Sequence, residues 1–279
     1  MFDIVTVVFQ DELPILKVQA ESVNLYGQEI GIQNIFVVVN DNDDVVDQID
    51  PVWWGNLSTR VKIIPRSFFN CEFVENGWVS QQVLKVLASA LSTNQYSMIL
   101  DAKTILVKPA TFDLLLPGGK IAGGVYPIQK VFRPSAQIVN ELFGVEVDRN
   151  GGLSGVPFLF KNDHIQSMIV EIEQRTTQKF PKWFQDQGMV TEYILYAGYC
   201  KYLYGTLDKV YSMTKPYDVC NLCHSQTAII SEKLKDMTDP CKLTVSVHRR
   251  AWPEMNEEQQ NTYKQFLISR GMTSAKELK

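Results

Sequence analysis

The run Met98-Ile-Leu-Asp-Ala-Lys-Thr-Ile-Leu106 carries an acid and a cation two residues apart, which puts Asp101 and Lys103 where an apolar strand opens. A second polar end, Asn40-Asp-Asn-Asp-Asp44, follows the apolar run Ile35 to Val39 in the same way. Far along the chain, Val247-His-Arg-Arg-Ala251 gathers His248, Arg249 and Arg250, and Thr191-Glu-Tyr193 sets Glu192 at the start of a helical segment. Each also has a plain structural use. An aspartate ends a strand, a His beside two arginines forms a solvated turn, and an acid in a first helical turn is favoured by the helix dipole. Cys220-Asn-Leu-Cys223-His224 adds metal-binding residue types: with Cys241 or His248 the pair would complete a zinc site, and CxxCH is also the pattern of covalent haem attachment. A single CxxC without a second pair is weak ground for a metal, and small cysteines pack well beneath loops, so zinc at Cys220 and Cys223 is not expected.

Other chemistries are disfavoured by missing motifs. No GxGxxG follows the first apolar run, and no GxxxxGK[ST], HExxH or GxSxG occurs, which argues against dinucleotide enzymes, P-loop NTPases, the common metalloproteases and serine hydrolases. The chain has 279 residues, 45% hydrophobic and 21% charged, a globular composition with length for a large α/β core. A net charge of -4 argues against general nucleic-acid binding, which needs many cations to neutralise phosphates. The start Met-Phe-Asp-Ile-Val-Thr-Val-Val-Phe has no basic leader, so the expected location is cytoplasmic and haem attachment, an extracytoplasmic event, is set aside. No stretch approaches the roughly 18 apolar residues of a membrane span. Five cysteines in a scattered, odd-numbered set suggest reduced thiols.

The elements that must position these residues follow from hydrophobic spacing. Residues 3–9 form an apolar, β-branched run, as in a strand covered on both faces. Asp11 is placed to cap a helix carrying Pro14, Leu16, Ala20 and Val23 toward Gly27. Strands over residues 35–41 and 61–64, a helix from Trp78 to Leu91 and a strand from Ser97 to Leu100 continue the alternation. Such alternation indicates a mostly parallel sheet flanked by helices. The glycine-rich segments 117–124 and 150–155 read as loops, followed by the apolar run 156–160. Asp163 is placed to cap a helix with Ile165, Met168, Ile169 and Ile172, another starts at Thr191 or Glu192, and Asn256 to Arg270 forms a last helix stopped by Gly271. Trp53, Trp54 and the series Trp183, Phe184, Tyr193, Tyr196, Tyr199, Tyr202 and Tyr204 can stack on sugars, although helical spacing makes packing the ordinary explanation for most.

In this order, Asp3 to Phe9, Val38 to Asp41, Gly77-Trp-Val-Ser-Gln-Gln-Val-Leu-Lys85, Ile99-Leu-Asp-Ala-Lys103 and Thr191-Glu-Tyr193 make the chain resemble GT-A-fold glycosyltransferases over about residues 1–250, in particular bacterial and phage glycosyltransferase-like proteins. The resemblance implies a GT-A-type Rossmann-like α/β fold. It divides the chain into a nucleotide-binding half (1–105), an acceptor half (106–250) and a C-terminal helix (251–279). In that family an Asp-x-Asp motif holds Mn2+ or Mg2+ against the nucleotide diphosphate. Asp101 matches its first acid, and Lys103 replaces the second, which leaves open whether metal or lysine meets the diphosphate. His248 matches a late histidine that reaches the metal or phosphates, with Arg249 and Arg250 as phosphate forks. Glu192 matches the general base of inverting relatives. Phe9, Gln10, Asp11 and the pair Asn40 and Asp41 fall at the base and ribose contacts, and Gln81 and Lys85 fall one helical turn apart on the phosphate side.

The expected activity is transfer of a hexosyl-type group from a nucleotide-diphosphate sugar, UDP-sugar favoured, to a hydroxyl of a glycan or other acceptor. The alternative is a nucleotide-sugar- or glycan-binding protein of the same fold that lacks the chemistry. A sugar nucleotidyltransferase would carry a Gly-rich, Arg-bearing loop after the first strand, and Gln10-Asp-Glu-Leu-Pro14 has neither. A zinc-stabilised module over residues 220–248 is the remaining rival.

Overall fold

Unbroken runs of branched apolar residues make strands that are covered on both faces, and the first such run is β1 (Phe2–Val8), every residue of which is buried. The computed structural model describes residues 1–122, 125–147, 149–151, 157–212, 214 and 216–279. After β1 come α1 (Leu13–Tyr26), β2 (Ile32–Val39), β3 (Val61–Pro65), α2 (Gly77–Ala90) and β4 (Tyr96–Ile99). The middle of the chain forms β5 (Thr104–Leu106), α3 (Phe112–Leu115), β6 (Val125–Pro127), α4 (Arg133–Phe143), β7 (Arg149–Gly151) and β8 (Phe158–Lys161). The remainder supplies α5 (Asn162–Thr176), α6 (Phe180–Gln187), α7 (Glu192–Tyr204), β9 (Asp218–Leu222), α8 (Ile230–Asp236), β10 (Lys242–Val247) and α9 (Glu257–Ser269).

The central sheet has five strands in the order β3-β2-β1-β4-β8, parallel throughout except for antiparallel β8. This is the mostly parallel α/β sheet that the strand and helix alternation predicts. The chain runs from β1 outward through β2 and β3, then crosses back through α2 to place β4 on the other side of β1. Connections therefore leave β1 and β4 in opposite directions, opening a crevice at their carboxyl ends, and Phe9 and Asp101 lie at its two sides. A smaller sheet, β5-β10-β9, lies over a second apolar cluster that includes Ile105, Leu222, Val245, Tyr263 and Leu267. Through β10 this sheet delivers His248 and Arg249 from the far end of the chain.

Several local expectations change. Asp11 does not cap α1: the chain makes a short 3-10 turn at Gln10–Glu12, Glu12 takes the N-cap position, and Asp11 is left to pair with Arg249. Asp163 does not cap α5 either, because the helix starts one residue earlier, at Asn162, and Lys161 holds the N-cap position. Thr191 does cap α7, accepting from Ile194 N at 3.4 Å. Asn150 and Gly151, read as loop, belong to β7, whereas 123–124 and 152–156 lie outside the described residues. The C-terminal segment is more than one helix: after α9, which Asn256 caps, a 3-10 turn (Thr273–Glu277) packs on α1, where Glu277 meets Lys17 at 2.9 Å and Ser274 N donates to Glu21. Among the described residues no helix is long and apolar enough to cross a membrane.

Burial separates the cysteines chemically. Cys200 and Cys220 are buried, which pushes both thiols up to about 12, while Cys223 and Cys241 are exposed. At pH 8 a thiol at that value is only about one part in ten thousand thiolate, the reactive form. Iodoacetamide at pH 8 is therefore expected to label Cys223 and Cys241 in the native protein, and Cys200 and Cys220 only after denaturation, read by peptide mass spectrometry. Native labelling of Cys200 would contradict the packing around α7.

Candidate functional site

The turn Asp101–Thr104 links β4 to β5 and presents the site's two outward groups. Thr104 N donates to Asp101 O at 2.7 Å, closing the turn. Gln19 of α1 braces it from inside: Nε2 donates to Asp101 O (2.6 Å) and Thr104 O (3.1 Å), and Oε1 accepts from Thr6 of β1 (3.0 Å). A buried backbone turn needs such partners, since unpaired carbonyls cost free energy. Gln19 went unremarked in the sequence, although an amide on the buried stripe of Leu16, Ala20 and Val23 is a signal.

Asp101 is clamped by two lysines. Oδ2 lies 2.8 Å from Lys103 Nζ, and Oδ1 lies 2.8 Å from Lys85 Nζ. The second contact is an ion pair made from behind the carboxylate. Lys85 also donates to Glu192 Oε1 at 3.0 Å and lies 5.8 Å from the Phe158 ring centroid. Gln82, one turn before Lys85, completes the set: with its amide nitrogen turned toward Glu192, it donates to Oε1 at 3.3 Å and to Oε2. The side chains of Lys85 and Glu192 are only 4% and 2% exposed, whereas those of Asp101 and Lys103 are 18% and 20% exposed. Two members thus face the crevice and two stand behind them.

The charges follow from this geometry. Burial alone would raise the Asp101 carboxyl, but Lys103 and Lys85 outweigh it and hold the group far below the ordinary carboxylate range. For Lys85 burial opposes the charge, and Asp101 and Glu192 together keep it protonated. Glu192 is pushed up by burial, with Lys85 pulling the other way. Glu12 is likewise pushed up by burial and feels Lys103, Asp101 and Arg249, so it connects the clamp to the other wall of the crevice.

That wall is the loop after β1. Arg249 makes two contacts to Asp11 (3.0 and 2.9 Å) and lies 5.0 Å from the centroid of Phe9. The Phe9 ring edge rests on Gly77, where an added Cβ would stand 3.0 Å from it, so a side chain at the start of α2 would press on the ring. Arg249 thus stands over one face of Phe9, among the residues expected at the base and ribose contacts. Gln10 N donates to Asp41 Oδ2 at 2.6 Å. Asp41 also lines an open cleft of about 380 Å³ with Asn42, Asp43, Arg66, Ser67 and Phe73.

Other expected contacts are placed differently. Asn40 is 3% exposed and ties β2 to α2 through Ser80 Oγ (2.9 Å) and Gly77 O (3.3 Å), which withdraws it from any ribose. Lys85 is interior instead of facing a phosphate, and Gln82, not Gln81, points into the network. Glu192 is walled off from solvent, so it does not stand open to an acceptor hydroxyl. His248 is half-buried beyond β10, its Nδ1 accepting from Arg250 N at 3.1 Å, and Arg250 is exposed. Cys220 Sγ lies 3.5 Å from Lys233 O. Among the sugar-stacking aromatics, Trp54, Trp183, Phe184, Tyr196 and Tyr199 are core, while Tyr202 and Tyr204 are 38% and 44% exposed.

The residues present do not fit a divalent cation. Such an ion needs carboxylate oxygens free to turn toward it, and both oxygens of Asp101 already face ammonium groups. Among the described residues no three His, Cys, Asp or Glu side chains gather at one point, so no all-protein cage for a metal ion is present there.

Fold and site together define an α/β protein with a lysine-clamped aspartate at the switch point of a mostly parallel sheet. The chain belongs to the family of unknown function DUF6492, whose model matches residues 5–267. No curated protein matches it. Solved structures similar to it include a galactosyltransferase, LgtC, in complex with donor and acceptor sugar analogs, at 13% identity, covering 96% of this chain and 95% of that one, with a TM-score of 0.48. They also include the apo form of the glycosyltransferase GlyE of Streptococcus pneumoniae TIGR4, at 14% identity, 97% and 64% coverage and a TM-score of 0.45. A third is apo mouse xyloside xylosyltransferase 1, at 13% identity, 90% and 98% coverage and a TM-score of 0.42.

Proposed function

We propose that this protein transfers a hexosyl-type group from a nucleotide-diphosphate sugar, UDP-sugar favoured, to a hydroxyl of a glycan or similar acceptor. The observation that carries the reading is the placement of Asp101 and Lys103 at the carboxyl end of β4, with Phe9, Asp11 and Arg249 beyond the end of neighbouring β1. Open α/β sheets bind ligands in that crevice. The order of the same segments in the sequence, which resembles GT-A-fold glycosyltransferases, supports it. Residues 1–105 supply the donor side and residues 106–250 the acceptor side. Arg249 and Arg250 rejoin the donor side from the end of the chain.

In the reaction, the acceptor oxygen bonds to the anomeric carbon while the bond from that carbon to the β-phosphate oxygen breaks. The nucleoside diphosphate leaves with the electron pair. Lys103 and Arg249 meet the charge that develops on it, an electrostatic contribution made where charge appears in the transition state. The hydroxyl proton passes to a phosphate oxygen of the leaving group, because both carboxylates of the clamp are held in ion pairs. Asp101 orients Lys103, and Glu192, reassigned from general base by its burial, orients Lys85.

One feature favours a second reading: a clamp in which Lys85 binds both acids suits a nucleotide-sugar- or glycan-binding protein without turnover. A panel of nucleotide-diphosphate sugars, followed by calorimetry for binding and by nucleoside diphosphate release for turnover, separates the two. Release by the wild type, retained in part by Glu192→Gln, is the expected result. Binding without release in either protein supports the binding reading, and absence of both overturns the two together.

A further inference from the structure

This inference rests on the reading that the crevice binds a nucleoside diphosphate. We propose that the diphosphate is taken directly by the ammonium group of Lys103, held in place by Asp101 and backed by buried Lys85, with no divalent cation required. Three observations carry it. First, the charge of Asp101 is already answered from two sides, at 2.8 Å each, so an incoming cation would have to compete with two ammonium groups for it. Second, Lys103 stands at the crevice with one of its three N–H donors spent on Asp101, which leaves two for phosphate oxygens. Third, Arg249 across the crevice pairs with Asp11 in an exposed ion pair, with side chains 43% and 62% exposed. Such pairs are weak, so its guanidinium can exchange a carboxylate for a phosphate at little cost.

Lys85 has a different part. It lies behind Asp101, fixed by Glu192 and indirectly by Gln82, and keeps the carboxylate turned so that Oδ2 receives Lys103. Without it, Asp101 would carry one unanswered oxygen, the condition a metal ligand needs. The two lysines thus answer the two oxygens of Asp101, one from the crevice and one from behind.

The test is calorimetric titration of the full chain with uridine diphosphate and with inorganic pyrophosphate, once in EDTA and once in Mn2+. The expected result is a Kd that differs by less than about tenfold between the two conditions. Lys103→Met should weaken binding by about 10–100-fold in both, the loss of a charge-assisted contact, while Lys103→Arg keeps most of it. Circular dichroism of each variant verifies that it folds. Binding seen only with Mn2+, or tightened more than tenfold by it, overturns the inference and leaves the donor reading standing. An unchanged Kd in folded Lys103→Met also overturns it. No binding of either probe in either condition overturns the donor reading itself, and this inference with it.

Discussion

Replacing Lys85 with methionine is expected to lower stability by about 3–5 kcal/mol, the cost of leaving buried charges without their partner. At an effective dielectric of about 20, unit charges 2.8 Å apart, the separation of Lys85 and Asp101, attract by roughly 6 kcal/mol. Desolvation takes back several kcal/mol per ion, so the intact network contributes little net stability. Its removal is costly for another reason: methionine fills the space, but Glu192 and Asp101 each lose the ammonium group that stood against them, leaving Gln82 beside Glu192 and Lys103 beside Asp101. For a chain of this size each kcal/mol moves Tm by roughly 2–4 °C, so a fall of about 10 °C by circular dichroism is expected. A fall below about 2 °C would show that the clamp is not formed.

The pH dependence of that deficit has a defined sign. Burial holds the Glu192 carboxyl above its unfolded value of about 4.3, so the stability tied to its protonated form is present below that value and lost as pH rises through the folded one. Lys85 opposes the shift, and without it the folded protein prefers the proton more strongly. Asp101 has the opposite sign in the wild type, its folded value being depressed, so its contribution is present above about 3.9 and lost only as pH falls toward the folded value. Removing Lys85 takes away one of the two cations that depress it. The variant's deficit is therefore expected to shrink between pH 8 and pH 5. Adding Glu192→Gln to Lys85→Met should recover part of the lost stability, because it removes one of the two buried acids; an additive double variant would place the cost elsewhere.

Gly198→Ala is expected to destabilise by about 1–3 kcal/mol, against the usual preference of helices for alanine. A Cβ at this position of α7 would stand 2.1 Å from Val139 Cγ1 and 3.3 Å from Val147 Cγ2. Alanine gains roughly 0.8–1.0 kcal/mol of helix propensity over glycine, but Val139 is β-branched and has few rotamers to which it can retreat. Overpacking wins, and α4 and α7 must part. Since α7 starts with Glu192, parting also disturbs the clamp. A thermal melt measures the direction, and a double-mutant cycle with Val139→Ala should show coupling above about 0.5 kcal/mol if the clash is the cause. A Tm that rises in Gly198→Ala would mean that the two helices are not packed this closely.

The crevice shows how far residue order reaches. Asp101 and Lys103 are legible because an apolar run followed by a polar pair marks a strand opening, whatever the rest of the chain does. Lys85 and Glu192 are legible as polar residues on helices, but their contact joins positions 107 residues apart and has no local signal. Gln82 illustrates a different limit. The buried residues of α2 include Val79, Ser80, Gln82, Val83, Leu84, Lys85, Val86, Ala88 and Ser89, so the helix has no single apolar stripe from which to tell Gln81 from Gln82. Asp11 and Asp163 look like caps in the sequence for the same kind of reason: capping depends on which residue leaves the helical φ and ψ, and one residue of shift moves the carboxylate to other work.

Apolar periodicity and β-branched runs were enough by themselves to determine the alternation of strands and helices, the parallel character of the sheet and the strand end that carries Asp101, because burial of each element depends on its own pattern. The strand order β3-β2-β1-β4-β8, with its reversed last strand, and the return of Arg249 to Asp11 were decided only by the tertiary structure. So was the charge state of the site. A carboxylate's chemistry depends on which charges stand within a few ångströms of it, and for Asp101 those are Lys103, two residues away, and Lys85, brought there by the crossing of α2 beneath the sheet.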